Sequence, residues 1–285
     1  MRILHQLGYE DALQSAAIPI CNFLCRDLTG CLIHNNALYN LVQKNHGRGF
    51  LPFERQEFLQ ILYDGLPDKS YIRTNARVEG IAQLQNSVEA KLSDSSTETG
   101  DMVLGCDGVH SSTRSIMWDF ATRVSPGLIQ VKEKTSLKTS WKTLVLMTPT
   151  IPELGERDLS EDAQALADLV ADIWRRRNRA SVIALQEGVM EHWHRGRITL
   201  TGDTVHKAQV HPNLAFGGNS AIGGVVTAIN HIQRAVEATR GCRPSSMALS
   251  AAFATYESEQ RQRLKGILEM SNWVAKMHTY VTYSR

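Results

Sequence analysis

The sequence predicts a mixed α/β protein. Two short β-type runs each end in a turn that contains an aspartate and a glycine, and a segment of helical character follows each turn. Other segments carry apolar residues at helical spacing, as amphipathic helices do. Strands interspersed with helices along one chain are typical of α/β and α+β folds. The two junctions are Met102–Cys106 into Asp107-Gly108 and Ile198–Thr201 into Gly202-Asp203, and the clearest helical segments are 52–66, 160–179 and 245–273.

The composition is that of a globular protein with a real core. The chain has 285 residues, of which 42% are hydrophobic and 21% charged, enough for one large domain or two ordinary ones. A net charge of +2 argues neither for nor against nucleic acid. No apolar run approaches the ~18 residues of a membrane span, and no signal peptide is recognisable. We expect an intracellular protein, cytoplasmic or peripheral to a membrane.

The cysteines indicate a reduced protein and no metal site. Their number, five, is odd, and they are scattered. Cys21, Cys25 and Cys31 lie near His34, but their spacing matches no standard zinc pattern.

The first third of the chain predicts a helix, short strands and a second helix. Met1–Gly8 has a helical apolar face without an N-cap, which suggests that further sequence precedes it. Asp27–Tyr39 carries turn signals and short β-type runs. Pro52–Leu66 is the clearest helix. Arg55 lies in its first turn, where the helix dipole disfavours a cation, so either an anionic partner such as a phosphate or a solvated surface arginine explains it.

The middle of the chain predicts strands around the first aspartate junction. Ser111, Ser112 and Arg114 follow Asp107-Gly108 and open a helix through Trp118. The predicted strands are 70–73, 77–84, 87–92, 102–106 and 141–147, with a polar loop at 93–100.

The helix at 160–179 has Ser160 as its cap and arginines at its C-terminal end. Arginines there interact favourably with the helix dipole, and no aromatic platform of the kind found in nucleic-acid sites surrounds them. Helices are also expected at 220–240 and 245–273, although Gly223-Gly224 lowers the helix propensity of the first.

The segment 197–219 is the one around which the prediction of function is organised. A strand that ends in a carboxylate, followed by a glycine-rich loop and a helix, is one way to bind a nucleotide cofactor. The helix N-terminus offers unpaired N–H groups, and the carboxylate accepts hydrogen bonds from sugar or ribityl hydroxyls. On these residues alone, an ordinary turn at Gly202-Asp203 remains the alternative.

Together these motifs resemble the flavin-dependent class A monooxygenases, and more narrowly the fungal branch that epoxidises or hydroxylates terpenoid chains. GCDGVHSSTR (105–114) resembles the family's Asp-Gly motif. TGDTVH (201–206) with PNLAFGGN (212–219) resembles its Gly-Asp motif, and 54–70 resembles the segment whose arginine contacts FAD. The segment 184–200 and the helix containing Tyr256, Arg261 and Arg263 also fit this branch, so the resemblance covers most of the chain.

The resemblance implies a partial Rossmann-like FAD-binding domain with a reduced substrate-domain sheet. It implies FAD contacts at Arg55, Asp107 and Asp203, with Gly217 and Gly218 near the flavin ring. We expect a partial FAD-binding domain at 1–120, a shortened substrate domain at 121–183, a returning FAD-binding segment at 184–240 and a C-terminal helix at 241–285. No catalytic side chain is predicted.

Four departures from the family pattern stand out. No Gly-x-Gly-x-x-Gly turn occurs in these 285 residues. The interval between Asp107 and Asp203 is short for the family, so its proposed catalytic tyrosine has no counterpart that we can place. The turn from His206 to Pro212 is two residues longer than usual. Gly223-Gly224 stands where the family carries Glu-Asp.

Two functions follow from the resemblance. The first is an FAD-dependent monooxygenase that uses NADPH and epoxidises or hydroxylates a terpenoid-like small molecule. The second is a non-catalytic truncated remnant, or an interaction protein without flavin, because loss of the pyrophosphate-binding turn removes several charge-assisted hydrogen bonds of ~1.5–3 kcal/mol each.

Overall fold

The computed structural model describes residues 2–17, 23–26, 32–36, 38–148, 163–208, 216–240 and 242–278. They form two compact units, Met1–Ile72 with Leu144–Ile183 and Arg73–Thr143 with Ala184–Arg285. The described elements confirm the prediction of a mixed α/β protein. The four functional segments predicted from the sequence stay a prediction.

In chain order the described helices are α1 (Arg2–Gln6), α2 (Glu10–Ala16), α3 (Leu38–His46), α4 (Arg55–Asp64), α5 (Ser112–Val124), α6 (Val131–Lys134), α7 (Ala163–Arg176), α8 (Phe216–Ala238) and α9 (Ser246–His278). The strands are β1 (Phe23–Arg26), β2 (Leu32–Asn36), β3 (Val78–Gln83), β4 (Val88–Leu92), β5 (Thr97–Gly100), β6 (Val103–Gly105), β7 (Lys138–Met147), β8 (Arg179–Val189), β9 (His194–Arg195), β10 (Ile198–Leu200) and β11 (His206–Ala208). A 3-10 turn, Gly202–Thr204, follows β10.

In the first unit, α2 packs against α4. The hydroxyl of Tyr9 donates to the Leu62 carbonyl at 3.1 Å. Gly65 ends α4 beneath the Tyr9 ring, where an added Cβ would lie 2.3 Å from a ring carbon. Glu10 pairs with Arg48 at 2.8 Å. These contacts hold α4 in place, and with it Arg55, which is its first residue and is exposed.

Two local predictions are wrong. Residues 70–73 form a turn rather than a strand, because the Asp68 carboxylate accepts the Ser70 N–H at 2.8 Å and Ile72 N–H donates to Lys69. Tyr71 is 88% exposed there and has no apolar surface to pack on. Within the predicted polar loop, Thr97–Gly100 is a strand paired antiparallel with β4, although its four residues are all exposed.

The sequence analysis also predicted nothing for β8, and Arg179 is its first residue rather than the end of a helix. Three of the predictions concern residues outside the described ranges, namely Cys21 with Cys31, the Ser160 cap and the turn around Pro212. Cys25 and His34 are backbone register partners in the β1–β2 pair.

The second unit contains the sheet that carries both aspartate junctions. Its order is β6-β10-β9, with β10 parallel to β6 and antiparallel to β9. Two further three-stranded sheets in the described part of the chain have the orders β3-β4-β5 and β11-β8-β7.

The core of this unit packs β10 between helices α5, α8 and α9. Its buried residues are Met117, Trp118, Ala121, Ile129, Met190, Trp193, Ile198, Leu200, Val205, Ala228, Tyr256 and Leu264. The Tyr256 hydroxyl donates to the Leu200 carbonyl at 3.2 Å and so fixes α9 to the end of β10. None of the helices in the described part of the chain has the length and apolarity needed to cross a membrane.

We predict that Gly105→Ala lowers the free energy of unfolding by about 1–3 kcal/mol, because overpacking forces buried neighbours apart. The new Cβ would lie 2.7 Å from Leu200 Cδ2 and 2.8 Å from Thr113 Cγ2. Gly266 lies within α9 with nothing within 4 Å of an added Cβ, so Gly266→Ala is the matched control and should stabilise by up to about 1 kcal/mol. Urea unfolding measures both. A Gly105→Ala variant as stable as the unchanged chain contradicts the packing described for β6.

Candidate cofactor site

The two aspartate turns lie side by side because the strands before them are a parallel pair. Gly105 and Leu200, the last residues of β6 and β10, are register partners. The Thr201 N–H then donates to the Gly105 carbonyl at 2.9 Å. The carboxyl ends of parallel strands share one edge of the sheet, which is where α/β proteins commonly bind ligands. The structure therefore brings Asp107 and Asp203 to one edge.

The Asp107 carboxylate shapes its own turn and the start of α5. It accepts hydrogen bonds from the Ser111 hydroxyl at 2.5 Å and from the Thr113 N–H at 2.9 Å. Ser111 caps the helix by accepting the Arg114 N–H at 2.8 Å. Partial burial opposes ionisation of Asp107, but these two hydrogen bonds outweigh it and hold the pKa below its ordinary value. Both carboxylate oxygens are engaged, so Asp107 orders the backbone that a cofactor would meet.

Arg114 fastens the two turns to each other. Its side chain is buried and donates to the Thr204 carbonyl and the Val109 carbonyl, each at 2.6 Å. The guanidinium also lies over the Trp118 ring, 5.2 Å from its centroid. A second link runs from the Gly108 N–H to the Thr204 hydroxyl at 3.0 Å, with Gly108 at a φ of +81° that favours glycine. The sequence analysis named Arg114 but gave it no role, and it missed Thr204.

Asp203 lies in the 3-10 turn and forms an ion pair with Lys207 on β11. The Asp203 side chain is 32% exposed and the Lys207 side chain 11% exposed. An ionised carboxylate accepts up to about four hydrogen bonds, so this pairing leaves acceptor capacity on the exposed side. Asp203 can therefore accept hydroxyl donors from a ligand at the edge of the sheet. Lys207 was missed because its spacing from Asp203 suggests contact only in a helix, whereas the chain here passes from a turn into a strand.

The first turn of α8 contains Gly217, which is buried, and Gly218, which is exposed. An added Cβ at Gly218 would meet nothing within 4 Å, so a ligand can approach this backbone closely. Gly202, at a φ of +66°, lies beneath the same helix, since a Cβ added to it would lie 3.3 Å from Ala221 Cβ. The start of α8 therefore lies beside the Asp203 turn.

Gly223 and Gly224 have close neighbours on the elements that pack against α8. A Cβ at Gly224 would lie 3.1 Å from the Thr201 hydroxyl and 3.3 Å from the Gln260 amide. A Cβ at Gly223 would lie 2.9 Å from an Arg263 guanidinium nitrogen. The glycines bring the helix close to β10 and α9 at the position where the family resemblance predicts Glu-Asp.

His206 is buried at the base of the site. It is 1% exposed, its ring lies 6.3 Å from that of Trp193, and neither ring nitrogen has a hydrogen-bond partner within the described ranges. Burial lowers the pKa of His206 to about 4, although Asp203 nearby favours the charged form. His206 is therefore neutral in the folded protein at neutral pH.

Glu133, Glu191 and His192 lie close enough together to hold a metal ion, but the Glu133 carboxylate is already engaged by groups of the protein. The buried Glu133 carboxylate accepts the backbone N–H groups of Glu191 and His192 at 2.8 and 2.7 Å, and it contacts the His192 ring at 2.7 Å. Its hydrogen bonds are to groups of the protein itself.

Arg55, the remaining predicted contact, lies in the first unit, whereas Asp107, Asp203, Gly217 and Gly218 lie in the second.

Comparison with known proteins supports the family resemblance, although no family model matches. The chain is 30% identical to the FAD-dependent monooxygenase DEP2 of Alternaria brassicicola, over 100% of this chain and 64% of that protein. Over nearly its whole length the chain is thus similar in sequence to fungal FAD-dependent monooxygenases. It is also 31% identical to DEP2 of Fusarium langsethiae, over 98% of this chain and 64% of that protein. The chain therefore spans just under two thirds of the length of these two relatives.

Solved flavoprotein structures show the same fold. Klebsiella pneumoniae HpxO complexed with FAD and uric acid matches with a TM-score of 0.65 at 17% identity, covering 98% of this chain and 78% of HpxO. The Pseudomonas aeruginosa protein pqsL, described as a probable FAD-dependent monooxygenase, matches with a TM-score of 0.67 at 14% identity, covering 98% of this chain and 84% of pqsL.

We predict that acid destabilises the protein through His206. The unfolded chain binds a proton at this residue below a pH of about 6.5, whereas the folded chain does so only near pH 4. Stability from neutral His206 is therefore lost as the pH falls through this window, by about 3 kcal/mol at most. His206→Leu should flatten this part of the pH profile in urea unfolding, whereas His46→Leu, at an exposed position, should not. A His206→Leu profile as steep as that of the unchanged chain rules out His206 as the source.

We further predict that Arg114→Met lowers the free energy of unfolding by about 3 kcal/mol, because one buried and one partly buried carbonyl lose a charged donor. Arg123 is exposed on the same helix, so Arg123→Met is the control and should change stability by less than about 0.5 kcal/mol. Equal effects of the two substitutions in urea unfolding would refute the role of Arg114 in joining the turns.

Proposed function

We propose that the second unit binds the ribityl and ring portion of FAD at the edge where the β6 and β10 turns meet, and that the protein is an FAD-dependent monooxygenase. The observation that carries this proposal is the parallel register of Gly105 and Leu200, which sets the Asp107 turn, the Asp203 turn and the start of α8 beside one another. Homologues named FAD-dependent monooxygenases support the cofactor and the reaction class.

The described residues fit a flavin in three respects. Asp203 offers the accessible part of a half-buried carboxylate to ribityl hydroxyls. Gly218 leaves its backbone open to a planar ring, and α8 begins beside it. The first N–H groups of a helix have no partner within that helix, so a helix N-terminus favours electron-rich atoms. Asp107 and Arg114 order the neighbouring turn.

In this proposal the protein binds and orients, and the cofactor carries the reaction. FAD, when bound, supplies the activation of oxygen and the transfer of one oxygen atom to substrate. Asp203 accepts hydrogen bonds from the cofactor, and buried residues beneath the site, including His206 and Trp193, exclude water from its base. NADPH as reductant and a terpenoid-like substrate that is epoxidised or hydroxylated belong to the same proposal. The contact of Arg55 with FAD that the resemblance implies stays a prediction.

One feature favours a second candidate, a non-catalytic homologue without flavin. No Gly-x-Gly-x-x-Gly turn occurs in the sequence, and such a turn is the usual pyrophosphate-binding element of this fold class. Because each charge-assisted hydrogen bond contributes ~1.5–3 kcal/mol, lacking several of them lowers FAD affinity by orders of magnitude. This candidate predicts a colourless protein that does not bind added FAD.

We predict that the purified chain retains visible flavin absorbance after incubation with FAD and desalting, and that FAD stimulates NADPH oxidation. Asp203→Asn should weaken FAD binding about 10- to 100-fold, because it replaces charge-assisted hydrogen bonds with neutral ones. Asp119 is exposed on α5, so Asp119→Asn should leave affinity unchanged.

Affinity is measured by titrating protein into FAD and following flavin fluorescence, after circular dichroism has confirmed that each variant is folded. No binding at saturating FAD by the unchanged chain would refute the monooxygenase and support the second candidate. FAD binding that is equal in Asp203→Asn and Asp119→Asn would place the cofactor elsewhere.

A further inference from the structure

Lys207 is an unusual residue to find beside the proposed site, because it is a buried cation. The whole residue is 8% exposed, and its amine is paired with the Asp203 carboxylate. A buried ammonium needs a partner, since its desolvation without compensation is strongly destabilising. In the described parts of the chain, Asp203 is the acid that pairs with Lys207.

The two members of the Asp203–Lys207 ion pair differ in their exposure to solvent. The Lys207 side chain is 11% exposed and the Asp203 side chain 32% exposed, so the amine lies on the protein side and the carboxylate faces outward. A ligand that reaches this edge therefore meets the carboxylate first. Any influence of Lys207 on that ligand passes through Asp203.

The backbone on both sides of Asp203 is already held. The Val205 N–H donates to the Gly202 carbonyl at 3.0 Å, which closes the turn. Thr204 is fixed by Arg114 and by the Gly108 N–H. The conformation of the Asp203 side chain is the freedom that remains, and the ion pair with Lys207 restricts it.

Other charged groups nearby do not take this role. Arg114 directs its guanidinium to backbone carbonyls. His206 is neutral, because burial lowers its pKa to about 4. The first twelve residues of α8 carry no ionisable side chain, and the Asp107 oxygens are engaged by Ser111 and Thr113.

We propose that Lys207 is a positioning residue that aims the Asp203 carboxylate at the ligand and stabilises its charge when a bound cofactor excludes water. This inference rests on the proposed FAD site. It assigns to Lys207 an effect on FAD affinity that is exerted through Asp203, without contact between Lys207 and FAD.

The test is a double-mutant cycle on FAD affinity in the full chain. The variants are Lys207→Met, Asp203→Asn and both together, with Lys207→Arg as the conservative replacement. Lys132→Met is the matched control, since Lys132 forms an exposed ion pair with Glu191. Fluorescence titration gives each dissociation constant, and circular dichroism confirms folding.

We expect Lys207→Met to weaken FAD binding about tenfold when Asp203 is present and by less than about twofold when residue 203 is asparagine. Lys207→Arg should restore most of the affinity, and Lys132→Met should change nothing. The same four chains without FAD should show coupling between residues 203 and 207 in urea unfolding, which tests the ion pair even where binding is weak.

Three results overturn the proposal. An equal loss from Lys207→Met in both backgrounds means that Lys207 contacts FAD directly. Unchanged or tighter binding by Lys207→Met means that Lys207 does not support the carboxylate. Additive effects on unfolding mean that the pair itself is absent. Failure of the unchanged chain to bind FAD would instead refute the proposed function, and this inference with it.

Discussion

The parallel pairing of β6 with β10 is the constraint on which the site depends. Each strand is only three residues long, yet the register of Gly105 with Leu200 decides that both aspartate turns leave the sheet at the same edge. Gly105 permits this pairing because β10 and α5 approach it too closely for a side chain. Arg114 then joins the two turns, because its guanidinium donates to a backbone carbonyl of each.

The sequence predicted the two junctions and most helices, because apolar spacing and turn residues are local signals. It did not predict the edge strand β5, which has no apolar alternation, or the turn at 70–73, where a side chain of Asp68 competes with strand pairing. The contacts of Arg114 and Lys207 join residues that local periodicity does not relate. The predicted contact of Asp107 with a cofactor stays a prediction, and the sequence did not show that its carboxylate also orders the start of α5.

The glycine pair in α8 shows how packing and chemistry are linked in this protein. Gly223 and Gly224 let α8 lie against β10 and α9, and the same change removes two carboxylates that the family resemblance predicts near the flavin. Asp203, which pairs with Lys207, is then a half-buried carboxylate beside the start of α8. In the proposed FAD site, few side chains are therefore available to accept hydrogen bonds from the cofactor.

Hydrogen–deuterium exchange of the full chain with and without FAD tests the central claim most directly, because it reports on backbone amides along the chain. The proposed site predicts that FAD slows exchange together in 105–114, in 201–208 and in the first turns of α8, and leaves the β3-β4-β5 sheet unchanged. FAD binding without protection in the first two segments would contradict a single site formed by the paired aspartate turns.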